Sequence, residues 1–273
     1  MFRQLNEWDR DIIFEYLDRN AEEADFLIGN ALQFGIVNRR SVLRCGDYFG
    51  YFEENTLRGI IAFYNLGNCI PHYESMRAIP YFSQLMAMRR FGMILGVDRL
   101  IRPLFESIRH YKSLREYEEC GYYVNNNFSP FKLEGAEFID VSGDSDISIL
   151  SFVRKAYLQG FGAERTIEDT KLLLSQKSEQ EAFIVLSMDN KMVAQACIQT
   201  FTDSTSQIGA VYTLEDERGK GYAKAVVSEL SARIIHKEKL PTLVVNKYNA
   251  PALNAYKALG FLQSDDYLII RLN

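Results

Sequence analysis

Six consecutive residues, Arg218-Gly219-Lys220-Gly221-Tyr222-Ala223, carry the clearest chemistry in this 273-residue sequence. An apolar run from Ile208 to Thr213 precedes them, and the acidic turn Glu215-Asp216-Glu217 joins the two. A helical stretch follows at once, with Ala223, Val226, Val227, Leu230 and Ile234 on one stripe. Strand, glycine-rich loop and helix in that order set a row of backbone N–H groups at a helix N-terminus, where they can hold phosphate oxygens. Glycine matters because a side chain would keep a phosphate off the backbone and resist positive φ. The expected ligand is a pyrophosphate. Two common nucleotide motifs fit poorly. The dinucleotide fingerprint G-x-G-x-x-G sits near the start of a parallel βαβ unit, whereas the register here is R-x-x-G-x-A, late in the chain. A P-loop ends in Gly-Lys-Ser/Thr, and Gly221 is followed by Tyr222.

The stretch resembles the coenzyme A loop of the GNAT superfamily of N-acetyltransferases, Q/R-x-x-G-x-G/A between that family's fourth strand and third helix. Arg218, Gly221 and Ala223 match it. Val211, Tyr212 and Thr213 stand where the family's fourth strand offers backbone groups to the pantetheine arm. Downstream, Val244 to Phe261 resembles the fifth strand, the fourth helix and a closing Gly-Phe. The likeness is specific over residues 205–262 and extends more loosely back to 135.

The resemblance implies an acyl-CoA N-acyltransferase fold: α/β of the α+β kind, with a mixed, mostly antiparallel sheet flanked by helices. It implies acetyl-CoA as acyl donor and a primary amine of a small molecule, amino acid or peptide as acceptor, with direct transfer. Backbone N–H near Val211 would polarise the thioester carbonyl, and the phenol of Tyr256 would protonate the departing thiolate. Cofactor contacts would fall on Val211, Tyr212, Thr213, Arg218, Gly219, Lys220, Gly221, Tyr222, Ala223 and Asn249, with Lys224 and Lys247 as further candidates for the 3′-phosphate. Read as residues alone, Tyr256 also fits a core tyrosine, Asn249 a helix cap, and Arg218 and Lys220 a solvated loop. Glu215, Asp216 and Glu217 read as a solvated turn. His72, His110 and His236 read as structural or exposed, so no general base stands out. Cys197, inside a predicted strand with no histidine nearby in sequence, is a poor nucleophile. A non-catalytic acyl-CoA-binding or sensor protein is the alternative. An aminoacyl- or peptidyl-type transferase is a third reading, against which the intact loop argues, because such relatives take no coenzyme A.

The elements that must position these residues follow from periodicity. In the C-terminal half, strands are expected at Phe138–Val141, Ala182–Ser187, Met192–Thr200, Gln207–Thr213, Leu243–Asn246 and Leu268–Leu272, the last closing that half's sheet. Asp189-Asn190 should turn one hairpin. Helices are expected from Asp144 or Ser148 to Gln159, over Ile167–Ser175, and after an Asn249 cap with Pro251 in the first turn.

The N-terminal half reads as a worn copy of the same plan, with helices near 7–19, 21–33, Ile79–Arg89 and Asp98–Ile108. Its strands are expected at Tyr48–Glu53, Leu57–Tyr64, Cys69–Tyr73 and Phe91–Leu95, with Gly121-Tyr122 matching Gly260-Phe261. Nothing between Tyr73 and Phe91 matches R-x-x-G-x-A, so this copy should lack the phosphate loop. Two tandem domains are expected, 1–130 and 131–273, divided at the polar segment Asn125 to Pro130. Residues 1–130 hold fourteen Arg and one Lys, residues 131–273 five Arg and eleven Lys.

Composition excludes some classes. A net charge of −5 offers no basic field for nucleic acid. No run approaches the roughly 20 apolar residues that span a membrane. The start MFRQLNEWDRDIIF lacks a secretion signal's apolar region. Cys45, Cys69, Cys120 and Cys197 show neither C-x-x-C nor zinc spacing with the histidines, so buried thiols, no metal and a cytoplasmic setting are expected. A monomer or homodimer is expected.

Overall fold

The structure, a computed structural model, describes residues 1–178 and 180–273. The chain forms two compact units. The first holds Met1–Tyr122 together with Asp265–Asn273, and the second holds Tyr123–Ser264. In chain order the elements are β1 (Phe2–Gln4), α1 (Arg10–Asp18), α2 (Asp25–Phe34), β2 (Gly46–Glu53), β3 (Thr56–Tyr64), β4 (Asn68–Tyr73), α3 (Ile79–Met88), β5 (Met93–Val97), α4 (Asp98–Ile108) and β6 (Leu114–Val124). Then come β7 (Glu137–Asp140), α5 (Ile147–Phe161), α6 (Ile167–Ser175), β8 (Phe183–Met188), β9 (Lys191–Phe201), β10 (Thr205–Thr213), α7 (Tyr222–His236), β11 (Leu240–Asn246), α8 (Ala250–Ala258) and β12 (Leu262–Leu272). The sequence of types, βααβββαβαβ, is written twice. The expected tandem plan is therefore present as two runs of the same elements. Sheets in both are mixed and mostly antiparallel, flanked by helices.

Local chemistry explains most boundaries. Glu54 and Asn55 (φ 48° and 66°), and likewise Asp189 and Asn190 (φ 49° and 62°), take left-handed conformations in two-residue turns that match strand twist. They join β2 to β3 and β8 to β9. Asn249 caps α8 through its side chain, which accepts from the Ala252 N–H at 3.2 Å, and Pro251 follows in the first turn. All four cysteines are free and buried, as expected. Among the described residues no helix is long and apolar enough to cross a membrane.

Three expectations differ from the structure. The C-terminal strand does not close the second unit's sheet. From Tyr267 to Arg271 it runs antiparallel to β5, with Leu268 opposite Gly96 and Ile270 opposite Ile94. Leu268, Ile270 and Leu272 lie in the first unit's core with Phe49, Phe82 and Leu104, and the first unit's strand order is β1-β2-β3-β4-β5-β12-β6. The reason is that β5 pairs with β4 only at Asn68–Met93 and Cys69–Ile94, and its other edge needs a partner. The units also divide at Tyr122/Tyr123 rather than at 130/131. The segment read as a linker is fastened to the second unit: Asn125 Nδ2 donates to Leu259 O at 2.9 Å, and Asn125 N donates to Pro241 O at 2.9 Å. Finally, Gly121-Tyr122 lies inside β6, whereas Gly260 (φ 96°) ends α8. These two Gly-aromatic pairs are not equivalent.

The second unit has strand order β11-β10-β9-β8-β7, with only β10 and β11 parallel. Side chains alternate across it. Ala194, Ala196 and Ile198 join Val226, Val227, Leu230 and Tyr256 in one core, on the side of α7 and α8. Cys197, Phe183 and Val185 join Leu150, Val153 and Leu174 in another, on the side of α5 and α6.

Candidate active site

The site begins where β10 leaves its neighbours. β10 pairs with β11 only from Thr205–Leu240 to Ile208–Leu243, although both strands run on, to Thr213 and Asn246. Beyond Ile208 the two diverge. On the other edge, Gly209 lies opposite Cys197 and Tyr212 opposite Gln195, so Ala210 and Val211 together face one residue of β9. This is a β-bulge, and Ala210 takes φ 51° within it. The end of the Gln199 side chain folds over Gly209, its Cδ 2.2 Å from where a Cβ would stand, so a larger residue there would have to displace it. Tyr212 packs across Gly160 of α5, where a Cβ would come 2.6 Å from the Tyr212 ring, and its hydroxyl donates to Gln159 Oε1 at 2.7 Å. The Thr213 hydroxyl oxygen is buried without a partner among the described residues.

Next in the chain is the glycine-rich loop. A single 3₁₀ turn, Glu215–Glu217, leads to Arg218, and Gly219 (φ 83°) and Gly221 (φ 85°) both take the left-handed conformation. Gly221 caps α7 without a side chain, and Ala225 N is the first to close the helix, onto Gly221 O at 2.9 Å. Among the described residues, the N–H groups of Gly219, Lys220, Gly221, Tyr222, Ala223 and Lys224 have no acceptor. Such a row of free donors at the start of a fifteen-residue helix is able to receive an anion. Phe131 lies against it, 3.3 Å from where a Gly221 Cβ would stand, with Lys224 Nζ 3.7 Å from its ring centroid.

The loop's charges are already engaged. Glu217, largely buried, accepts from Lys220 Nζ at 2.7 Å and from Lys191 Nζ of β9. These two ammonium groups hold its carboxyl below the usual carboxylate range. Glu217 is thus the brace of the loop rather than a solvated turn residue. Arg218 is exposed, 3.6 Å from Glu215.

Tyr256 sits on α8 in the core shared with Val211 and Phe261, its ring centroid 6.2 Å from that of Phe261. Burial pushes its phenol well above the ordinary value. Its hydroxyl has no partner among the described residues. Asn249 spends its carbonyl oxygen on the α8 cap, leaving only the amide NH₂ for a ligand. The second unit therefore carries all eleven expected site residues, on β10, the loop, α7 and α8. Sequence reasoning missed Gln195, the Ala210 bulge, Glu217 as a brace, and Phe131. Two of these had a local signal: Glu217 in its spacing of three from Lys220, and the bulge in Gly209, a glycine inside a strand.

Residues 184–270 match the family model of the FR47-like proteins. Over 100% of both chains the structure aligns with a GNAT-family acetyltransferase from Colwellia psychrerythraea, at 13% identity and TM-score 0.59. A tandem GNAT protein from the clavulanic acid biosynthesis pathway aligns at 10% identity and TM-score 0.60, with 99% of this chain and 97% of that one covered. The chain has the GNAT acetyltransferase fold. A Drosophila protein aligns at 11% identity and TM-score 0.76, covering 100% of this chain and 98% of that one. No curated protein matches the sequence. Within the GNAT fold, the bulged β10, its divergence from β11 and the open start of α7 stand in sequence along one path.

Proposed function

We propose that the protein is an acyl-CoA-dependent acyltransferase that moves the acetyl group of acetyl-CoA onto a primary amine of a small molecule, amino acid or peptide. The observation that carries this reading is the row of six unpartnered N–H groups at the start of α7, reached directly from a bulged strand. Such donors hold a pyrophosphate, and the gap between β10 and β11 gives an extended pantetheine arm free strand edges to bond. The amine attacks the thioester carbonyl carbon, the C–N bond forms, and backbone N–H at the bulge stabilises the developing oxyanion. As the C–S bond breaks, the Tyr256 phenol gives its proton to the thiolate. The phenol is then restored by the proton that the new ammonium centre loses. A phenol kept neutral by burial suits that donor role.

The first unit is proposed not to take coenzyme A. α3 begins at Ile79-Pro80 without glycine, and the Ser75 hydroxyl ahead of it donates to Glu53 Oε1 at 2.7 Å. A carboxylate stands where a phosphate would need donors. Calorimetric titration with acetyl-CoA, coenzyme A and NADH tests the reading. One acetyl-CoA per chain and no NADH is expected, followed by amine-dependent thiol release. No acetyl-CoA binding refutes it, and two per chain refutes the assignment of the first unit.

A further inference from the structure

Gln195 lies fully buried on β9, directly opposite Tyr212 at the bulge. Its Nε2 donates to Ala210 O at 3.4 Å, and its Oε1 has no partner among the described residues. A fully buried amide with one orphaned oxygen is costly, so a core position of this kind is ordinarily filled by an apolar side chain. Ala210 is itself strained, because a left-handed φ of 51° is unfavourable for a residue with a Cβ. Two unfavourable features meet at one peptide group, the one linking Ala210 to Val211.

The orientation of that peptide follows from its planarity. A trans peptide holds its C=O and N–H antiparallel. With the Ala210 carbonyl drawn to Gln195, the Val211 N–H must point away from Gln195, toward the flank of β10 that has parted from β11. We infer that Gln195 is a positioning residue: it anchors the bulge so that the Val211 N–H is aimed at the thioester carbonyl of the bound acyl-CoA. This rests on the acyltransferase reading above and adds to it the side chain that sets the donor's direction.

The test compares the wild type with Gln195→Leu and Gln195→Glu. Leucine keeps the volume and removes the orphaned oxygen together with the donor to Ala210 O, so the fold should hold and the melting temperature should move by only a few degrees. Loss of a whole oxyanion donor costs about 100- to 1,000-fold in kcat, and a misdirected one is expected to cost about 10- to 100-fold. Coenzyme A affinity, set at the α7 loop, should stay within about twofold. Glutamate can anchor Ala210 O only while protonated, so the kcat of Gln195→Glu should fall with rising pH where the wild type's does not. Independently of turnover, the ¹³C carbonyl resonance of bound S-acetonyl-CoA should move downfield in the wild type and return toward the free value in Gln195→Leu. Equal shifts in the two proteins, or an unaltered kcat in Gln195→Leu, overturn the role of Gln195 alone. A wild type that binds no S-acetonyl-CoA overturns the acyltransferase reading and this role with it.

Discussion

Replacing Gly221 by valine tests the anion site at its narrowest point. Gly221 has φ 85°, and a Cβ there would meet Phe131 Cζ at 3.3 Å. Left-handed backbone costs an ordinary L-residue about 1–2 kcal/mol, and more when it is β-branched. At about 2–4 °C per kcal/mol for chains near this size, the melting temperature should fall by about 3–8 °C with the fold intact. Binding should suffer far more. The valine side chain would stand over the free N–H groups of Gly221 and Tyr222. Hydrogen bonds to a charged partner contribute about 1.5–3 kcal/mol each, so losing two weakens coenzyme A by about 3–6 kcal/mol, roughly 10²- to 10⁴-fold in Kd. Gly219→Ala is the matched control. Its Cβ would meet nothing within 4 Å, so only backbone strain remains and the loss should be about tenfold or less. Calorimetry with coenzyme A reads both variants, and circular dichroism reports the fold. A folded Gly221→Val that binds coenzyme A within threefold of the wild type would refute the phosphate assignment.

Tyr256→Phe should lower kcat by about 10²-fold or more while acetyl-CoA affinity holds, the pattern of a lost general acid; unaltered turnover in a thiol-release assay returns the residue to the core. Asp25 provides a pH signature in the first unit, where burial pushes its carboxyl up to about 6 from 3.8. A raised folded-state pKa means that the folded protein binds the proton more tightly. The stability this brings is present below about pH 4 and is lost as pH rises through 6. Asp25→Asn should therefore stabilise by up to about 3 kcal/mol at pH 8 and by little at pH 4, and urea unfolding showing the same difference at both pH values would contradict the assignment. Gly260→Ala places a Cβ 2.0 Å from Asn127 O at φ 96°, and combined strain and overpacking should cost about 3 kcal/mol. Chemical denaturation of the variant at the wild-type midpoint would show that the Asn127 segment yields freely.

The conformation of the glycine-rich loop was legible in the sequence because it is local. Six residues hold both glycines that need positive φ and the start of the helix whose N–H groups they expose. Hairpin turns at Glu54-Asn55 and Asp189-Asn190, the α8 cap at Asn249 and the stripe of α7 were legible for the same reason. Each is decided within about one turn of chain. The repetition of the plan could also be read, since element types recur in order even where residues do not.

What the sequence left open depends on partners far along the chain. Strand alternation in Leu268 to Leu272 reads the same whichever sheet receives it. The open edge of β5 assigns it to the first unit. Asn125 looks like a turn residue until Leu259 O and Pro241 O are brought to it. Gly209 hints at a bulge in β10, but the residue that turns left-handed is Ala210, an alanine held by register and by the Gln195 amide. The sequence by itself determined where two left-handed glycines open the start of a helix. Only the tertiary structure decided where β10 bulges and which way the Ala210–Val211 peptide turns, because a strand's neighbours, not its own residues, set where its backbone points.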